Sequence, residues 1–191
     1  VGGLLLWAVV FPAVSLLVRD PAQRARVSRR IIHLTFRFLV GMMRWLGLLT
    51  YEVHGLERLN RPGLLILANH PSLIDVVFLI SFVRHAACIV KAALAHNPFM
   101  RGPIRAAGFI TNGDGAGLLE DCVKSLRAGN NLIVFPEGTR TPLQGSIKLQ
   151  RGAAHVAVRG HIDITPVHIH SSLPMLTKGT PWWKVPVRKP H

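Results

Sequence analysis

The chain has 191 residues, of which 49% are apolar and 17% charged, and its 23 Lys and Arg against 9 Asp and Glu give a formal net charge of +14. That length suits one domain with a full core, since single domains commonly run about 100–200 residues. So strong a positive charge calls for an anionic partner; no recognisable nucleic-acid module accompanies it, so anionic lipid is expected and nucleic acid is not.

Two apolar segments open the chain. Leu4 to Val18 has 15 residues and contains Pro12, short of the about 20 that a perpendicular spanning helix needs. A re-entrant or interfacial position is expected for it, and the missing initial methionine implies residues upstream. Arg19, Arg24, Arg26, Arg29 and Arg30 follow before the next apolar segment. Juxtamembrane arginines are each attracted to anionic headgroups by about 1 kcal/mol. Ile31 to Thr50 then carries His33, Arg37 and Arg44 at spacings of four and seven, on one helical side. The pattern fits an interfacial helix with its basic side toward headgroups, and equally a packed core helix.

From Tyr51 onward, strand-like and helix-like stretches alternate. Strands are expected at 51–55, 63–69, 86–90, 108–112, 131–135 and 163–169, and helices near 72–83, 94–106, 115–128 and 149–159. Such alternation implies an α/β fold with a mostly parallel sheet flanked by helices. Ligands of open α/β sheets bind beyond the carboxyl ends of the strands.

Beyond the 63–69 strand stands Asn69-His70-Pro71-Ser72-Leu73-Ile74-Asp75. Residues five apart on a helix lie about 140° apart, so His70 and Asp75 cannot meet if both are helical. Pro71 disfavours helical backbone at His70 and tolerates a first helical turn itself. His70 is thus expected on the turn, facing Asp75 on the first turn of the helix. A carboxylate holding one imidazole nitrogen fixes the tautomer, leaving the other nitrogen to take a proton from an alcohol. Alternatively, Ser72-x-x-Asp75 is a helix capping box and His70 a loop residue.

A second such junction follows the 131–135 strand, where Phe135-Pro136-Glu137-Gly138-Thr139-Arg140-Thr141 forms a turn. Gly138 can take positive φ and let backbone N–H groups approach a ligand, and the Arg140 fork matches a phosphate. By itself this is also a generic turn.

Three other features are less specific. His161, Asp163, His168 and His170 are plausible metal-ligand types, but on a strand the first two point away from the last two, so no metal site is expected. Cys88 and Cys122 lack a partner motif and read as reduced core residues. The tail from Pro174 to His191 carries Trp182 and Trp183, which suit either the headgroup level or packing on the domain.

In this order and spacing, His70-x4-Asp75 and Phe135-Pro136-Glu137-Gly138-Thr139-Arg140 resemble the motifs of the glycerolipid acyltransferase family. The resemblance extends through Lys91, Pro98-Phe99, Gly108-Phe109-Ile110, Lys148-Leu149-Gln150-Arg151-Gly152 and Ile164-Thr165-Pro166-Val167, over roughly residues 50 to 170. It implies that His70 is the general base, that Asp75 orients it, and that Glu137, Gly138, Thr139 and Arg140 hold a phosphate-bearing acceptor. Lys91 and Arg105 are expected to assist, and Arg101 is a further candidate. It also implies membrane-docking helices over residues 1–50, with Arg37 and Arg44 joining the arginine cluster, and a catalytic domain over 51–191. The expected reaction moves an acyl group from an acyl-CoA or acyl carrier protein thioester to a lysolipid hydroxyl. It needs no cofactor, and the expected location is the cytoplasmic face of a bacterial inner membrane. One departure stands out: where family members acting on glycerol phosphates carry an arginine six residues after the glycine of their third block, this chain has Asp114. That substitution opens a different lipid acceptor, and a thioester or lipid hydrolase is the rival chemistry.

Overall fold

The computed structural model describes residues 6–172 apart from 97, 114–116 and 142–145. After a π-helical turn at Leu6–Val10 come helices α1 (Phe11–Leu17) and α2 (Pro21–Trp45), then a short 3₁₀ turn at Leu56–Leu59. Strands and helices alternate from there: β1 (Leu65–Ala68), α3 (Asp75–Phe82), β2 (Ala86–Val90), α4 (Ala92–His96), α5 (Pro98–Ala107) and β3 (Ile110–Thr111). The series ends with α6 (Gly117–Arg127), β4 (Asn131–Val134), α7 (Gly152–Gly160) and β5 (Ile164–Val167). Five strands pair in parallel in the order β3-β2-β4-β1-β5. Leu65 of β1 stands opposite Leu132 on one side and Ile164 on the other.

The strand period of two sorts the core into two layers. Ile66, Ala68, Ala86, Cys88 and Ile133 face one side, where they pack with Ile32, Leu79, Ile80 and Ala107. Leu65, Ala87, Leu132 and Val134 face the other, against Cys122, Leu126, Ala153 and Val156. Helices α2, α3 and α5 thus cover one face and α6 and α7 the other. This is why β1, and β4 from Leu132 onward, read as unbroken apolar runs.

The expected element at 51–55 is not a strand. Among the described residues β1 is already paired on both sides, and Tyr51 instead sets its ring edge-on to Phe78 and Phe82, 5.2 and 5.8 Å away. Gly55 leaves the segment in the left-handed region at φ +72°. The helix expected near 94–106 is two helices, α4 and α5, and the 108–112 strand shortens to two residues.

The arginine cluster is not a linker between two apolar segments. Asp20 caps α2, its carboxylate accepting from the backbone N–H of Gln23 at 2.8 Å, and Pro21 takes the first helical position. Arg24, Arg26, Arg29 and Arg30 therefore ride on the helix. Arg29 is buried, its Nε donating to the Ala107 carbonyl at 2.6 Å and its Nη2 to that of Gly108 at 3.3 Å. It closes the carboxyl end of α5 and does not face headgroups, a correction to the expectation above. Burial holds its guanidinium below the ordinary arginine range. His33 also turns inward, its Nδ1 2.7 Å from the Ile80 carbonyl. Arg19, Arg26, Arg30, Arg37 and Arg44 stay exposed and Arg24 half-buried.

Among the described residues no helix is long and apolar enough to cross a membrane. Both N-terminal helices expose large apolar side chains nonetheless. On α2 these are Leu34, Phe38, Met42 and Trp45, which recur every three or four residues and form one stripe beside Arg30, Arg37 and Arg44. Leu16 and Leu17 project from α1.

Candidate active site

His70 and Glu137 follow adjacent parallel strands, β1 and β4, so strand spacing brings their turns together at one edge of the sheet. Asn69 anchors the first turn. Its side-chain amide donates to the Ile169 carbonyl at 2.8 Å and accepts the Ile169 N–H at 2.7 Å, extending the β1–β5 pairing past the strand ends.

His70 Nδ1 lies 3.0 Å from Asp75 Oδ2, and both side chains are largely enclosed. The same carboxylate oxygen accepts the backbone N–H of Ser72 at 2.7 Å. One oxygen thus serves the dyad and half of the capping box, while no side chain caps the start of α3. Ser72 Oγ accepts from the Ile74 N–H at 3.3 Å, and α3 begins at Asp75 itself. The imidazole stacks on Phe135 with ring centroids 4.2 Å apart. Carboxylate, Ser72 amide and Phe135 ring together fix the imidazole plane and tautomer, which leaves Nε2 as the proton-accepting nitrogen.

The Glu137 turn grips the backbone of His70. Glu137 Oε1 accepts the His70 N–H at 3.0 Å and the Thr141 hydroxyl at 2.8 Å, while the Thr141 N–H donates to the His70 carbonyl at 2.7 Å. Glu137 is buried, and its Oε2 has no hydrogen-bond partner among the described residues. Gly138 sits at φ +63°, and the Gln150 N–H donates to the Pro136 carbonyl at 2.6 Å, so the 146–151 segment braces the turn from behind. Thr139 and Arg140 are half-buried on this turn, where Arg140 already has an interaction of its own.

Not every expected site residue joins this cluster. Lys91 is exposed just past the carboxyl end of β2. Arg105 and Arg101 line a separate cavity against α1 and α2, whose lining includes neither His70 nor Asp75. Asp114 and the tail with Trp182 and Trp183 lie outside the described residues. Sequence reasoning gave no role to Asn69, Phe135 or Thr141, although all three stand inside or beside the quoted motifs. A second cavity of about 370 Å³ opens beside Asp75, with Tyr51, Ile74, Phe78, Leu79, Val167 and Ile169 among its walls.

The two cysteines lie in the core. Burial raises the Cys88 thiol to about 12 against the pull of Arg29, and burial with help from Asp121 raises Cys122 to about 11. Neither is poised as a nucleophile.

Residues 50–170 match a protein-family model described as Acyltransferase. The chain is 29% identical over 153 residues to a 1-acyl-sn-glycerol-3-phosphate acyltransferase of Pseudomonas aeruginosa, covering 75% of this chain and 58% of that protein. It is 32% identical over 132 residues to the putative 1-acyl-sn-glycerol-3-phosphate acyltransferase acl-2 of Caenorhabditis elegans, covering 65% of this chain and 46% of that protein. The chain thus spans about half the length of the curated relatives it matches. Its fold is similar to the crystal structure of the 1-acyl-sn-glycerophosphate (LPA) acyltransferase PlsC from Thermotoga maritima, with a TM-score of 0.70 and 25% identity, covering 92% of this chain and 73% of that one.

Proposed function

The chain belongs to the Acyltransferase family, and on that premise we propose that it moves a fatty acyl group from an acyl thioester to the hydroxyl of a lysophospholipid at a membrane surface. The acceptor proposed is 1-acylglycerol-3-phosphate, giving phosphatidic acid, and the relatives' names support it. The observation that carries the chemistry is the enclosed His70–Asp75 pair at 3.0 Å.

In the proposed mechanism the acceptor hydroxyl approaches His70 Nε2, while Asp75 holds Nδ1–H. The imidazole takes the hydroxyl proton as the oxygen attacks the thioester carbonyl carbon. A tetrahedral oxyanion forms; when it collapses the C–S bond breaks, and the imidazolium returns its proton to the departing thiolate. Ester and free thiol result, with no acyl-enzyme and no cofactor. Asp75 keeps the carboxylate that stabilises the transient imidazolium. Gly138, Thr139 and Arg140 receive the acceptor phosphate, Lys91 stands on the same sheet edge, and the apolar cavity beside Asp75 takes an acyl chain.

The exposed stripe on α2, with its arginines, supports docking on anionic lipid. Residues 1–50 act as the docking segment and 51–191 as the catalytic domain, at the cytoplasmic face of a bacterial inner membrane. Either an acyl-CoA or an acyl carrier protein donor is compatible with this mechanism. Asp114 in the sequence favours testing other lipid acceptors beside lysophosphatidic acid.

The test is thiol release by the protein on liposomes, with both donor types against a panel of lysolipids. Release that requires lysophosphatidic acid and disappears in His70→Ala is the expected result. Release only with another lysolipid would move the acceptor, and release without any acceptor would make the protein a hydrolase.

A further inference from the structure

A cavity of about 800 Å³ lies away from His70, walled by Phe11, Ser15, Arg24, His96, Arg101 and Arg105 among others. Three arginines and a histidine therefore converge on one concave space, and among the described residues no carboxylate lines it. Nor does Arg24, Arg101 or Arg105 have an ion-pair partner among them.

Of the three arginines only Arg105, in the last turn of α5, suits its end of the helix dipole. Arg101 and Arg105 stand four apart on α5, a spacing that sets like charges side by side and disfavours the helix. Arg24 is the fourth residue of α2, at the end of the helix dipole that disfavours a cation and where the Asp20 cap is the acidic group at hand. A concavity lined by one sign of charge also focuses the field on whatever enters it. Several phosphates would relieve all of these costs, because guanidinium forks pair with phosphate oxygens. The volume is that of a small-molecule site and exceeds the need of one phosphate.

Position narrows the ligand further. β2 runs into Lys91 and α4, and His96, the last residue of α4, is one wall of the cavity. β1 and β2 flank β4 in parallel, so their carboxyl ends lie roughly 10 Å apart on one sheet edge. The proposed acceptor phosphate has its own turn after β4. A ligand with a phosphate-rich head and a long thiol arm could therefore lodge here and present its thioester at His70. We infer that the cavity binds the polyphosphate head of a nucleotide-linked acyl thioester of the coenzyme A type. The path of the arm rests on the acyl-transfer reading above; the binding of the head does not.

Titration of the full chain in detergent with coenzyme A reads the site without turnover. Wild type should bind, and Arg101→Ala and Arg105→Ala should each weaken binding by about tenfold, as loss of a charge-assisted contact implies. Arg127→Ala removes one charge from α6, away from the cavity, and should bind like wild type; circular dichroism checks that each variant is folded. No binding by wild type, or equal weakening by all three variants, would overturn the inference. So would Arg101→Ala and Arg105→Ala variants that lose binding to phosphatidylglycerol vesicles while holding coenzyme A normally, since the cavity would then be a headgroup site. A protein that binds coenzyme A through these arginines yet transfers no acyl group keeps this site and loses the acyl-transfer reading.

Discussion

Glu137 holds His70 by its backbone: Oε1 of the glutamate accepts the histidine N–H at 3.0 Å, across two turns 67 residues apart in sequence. A carboxylate beside a phosphate would repel it, and here the carboxylate faces inward. The geometry makes Glu137 a positioning residue that ties the turn proposed to bind phosphate to the proposed base. Glu137→Ala leaves the half-buried His70 N–H unpaired and should cost about 1 kcal/mol of stability. It should also lower kcat more than it raises the acceptor KM. Glu137→Gln keeps an accepting oxygen and should recover most of both losses in denaturation and steady-state assays. Glutamine and alanine variants that shift the acceptor KM alone would contradict the positioning role.

Asp75→Asn tests the tautomer. An amide NH₂ can donate to Nδ1, which drives the ring proton to Nε2 and removes the proton-accepting site. Turnover should fall by about 10²–10⁴, the range of a general base's contribution, with little change in acceptor KM. The Ser72 N–H shares that oxygen with His70 Nδ1 and loses its acceptor when the NH₂ takes its place, so a loss of about 1–3 kcal/mol in urea denaturation should accompany the lost turnover.

Phe38 and Trp45 test the docking face. They are 72% and 83% exposed, so Phe38→Glu and Trp45→Glu should change folding stability by no more than about 0.5 kcal/mol. Each should markedly weaken sedimentation with anionic vesicles. Unchanged vesicle binding in the double variant would remove this face from the membrane.

Arg29 and Arg30 are neighbours with opposite environments, one buried against two carbonyls and one exposed. Arg29→Met should lose about 1–3 kcal/mol in urea denaturation because the Ala107 and Gly108 carbonyls lose their donors. Arg30→Met should stay within about 0.5 kcal/mol of wild type.

Cys88 supplies the pH dependence. Its thiol rises from 9.0 to about 12 through burial. The folded protein thus favours the protonated form, and the associated stability is fully present below pH 9 and declines as pH rises toward 12. In the native state Cys88 should resist iodoacetamide at pH 8, where the unfolded chain is alkylated. Rapid native labelling would mean that this face of the core opens easily.

The sequence by itself determined the alternation of strands and helices, the placement of both motifs after strands, and the His70–Asp75 pairing. These are local consequences of apolar runs and of Pro71, which acts on its immediate neighbours. Tertiary structure decided what depends on contacts between distant segments. Residues 51–55 have strand-like composition, but β1 had no open edge to offer them. Arg29 and His33 look like surface cations in a helical pattern, yet the carbonyls of Ala107, Gly108 and Ile80 draw them into the core. Arg105, expected to assist in holding the acceptor phosphate, instead lines another cavity together with Arg24 and Arg101. In each case the deciding partner lies tens of residues away, and only the packed fold specifies which of several chemically similar groups it meets.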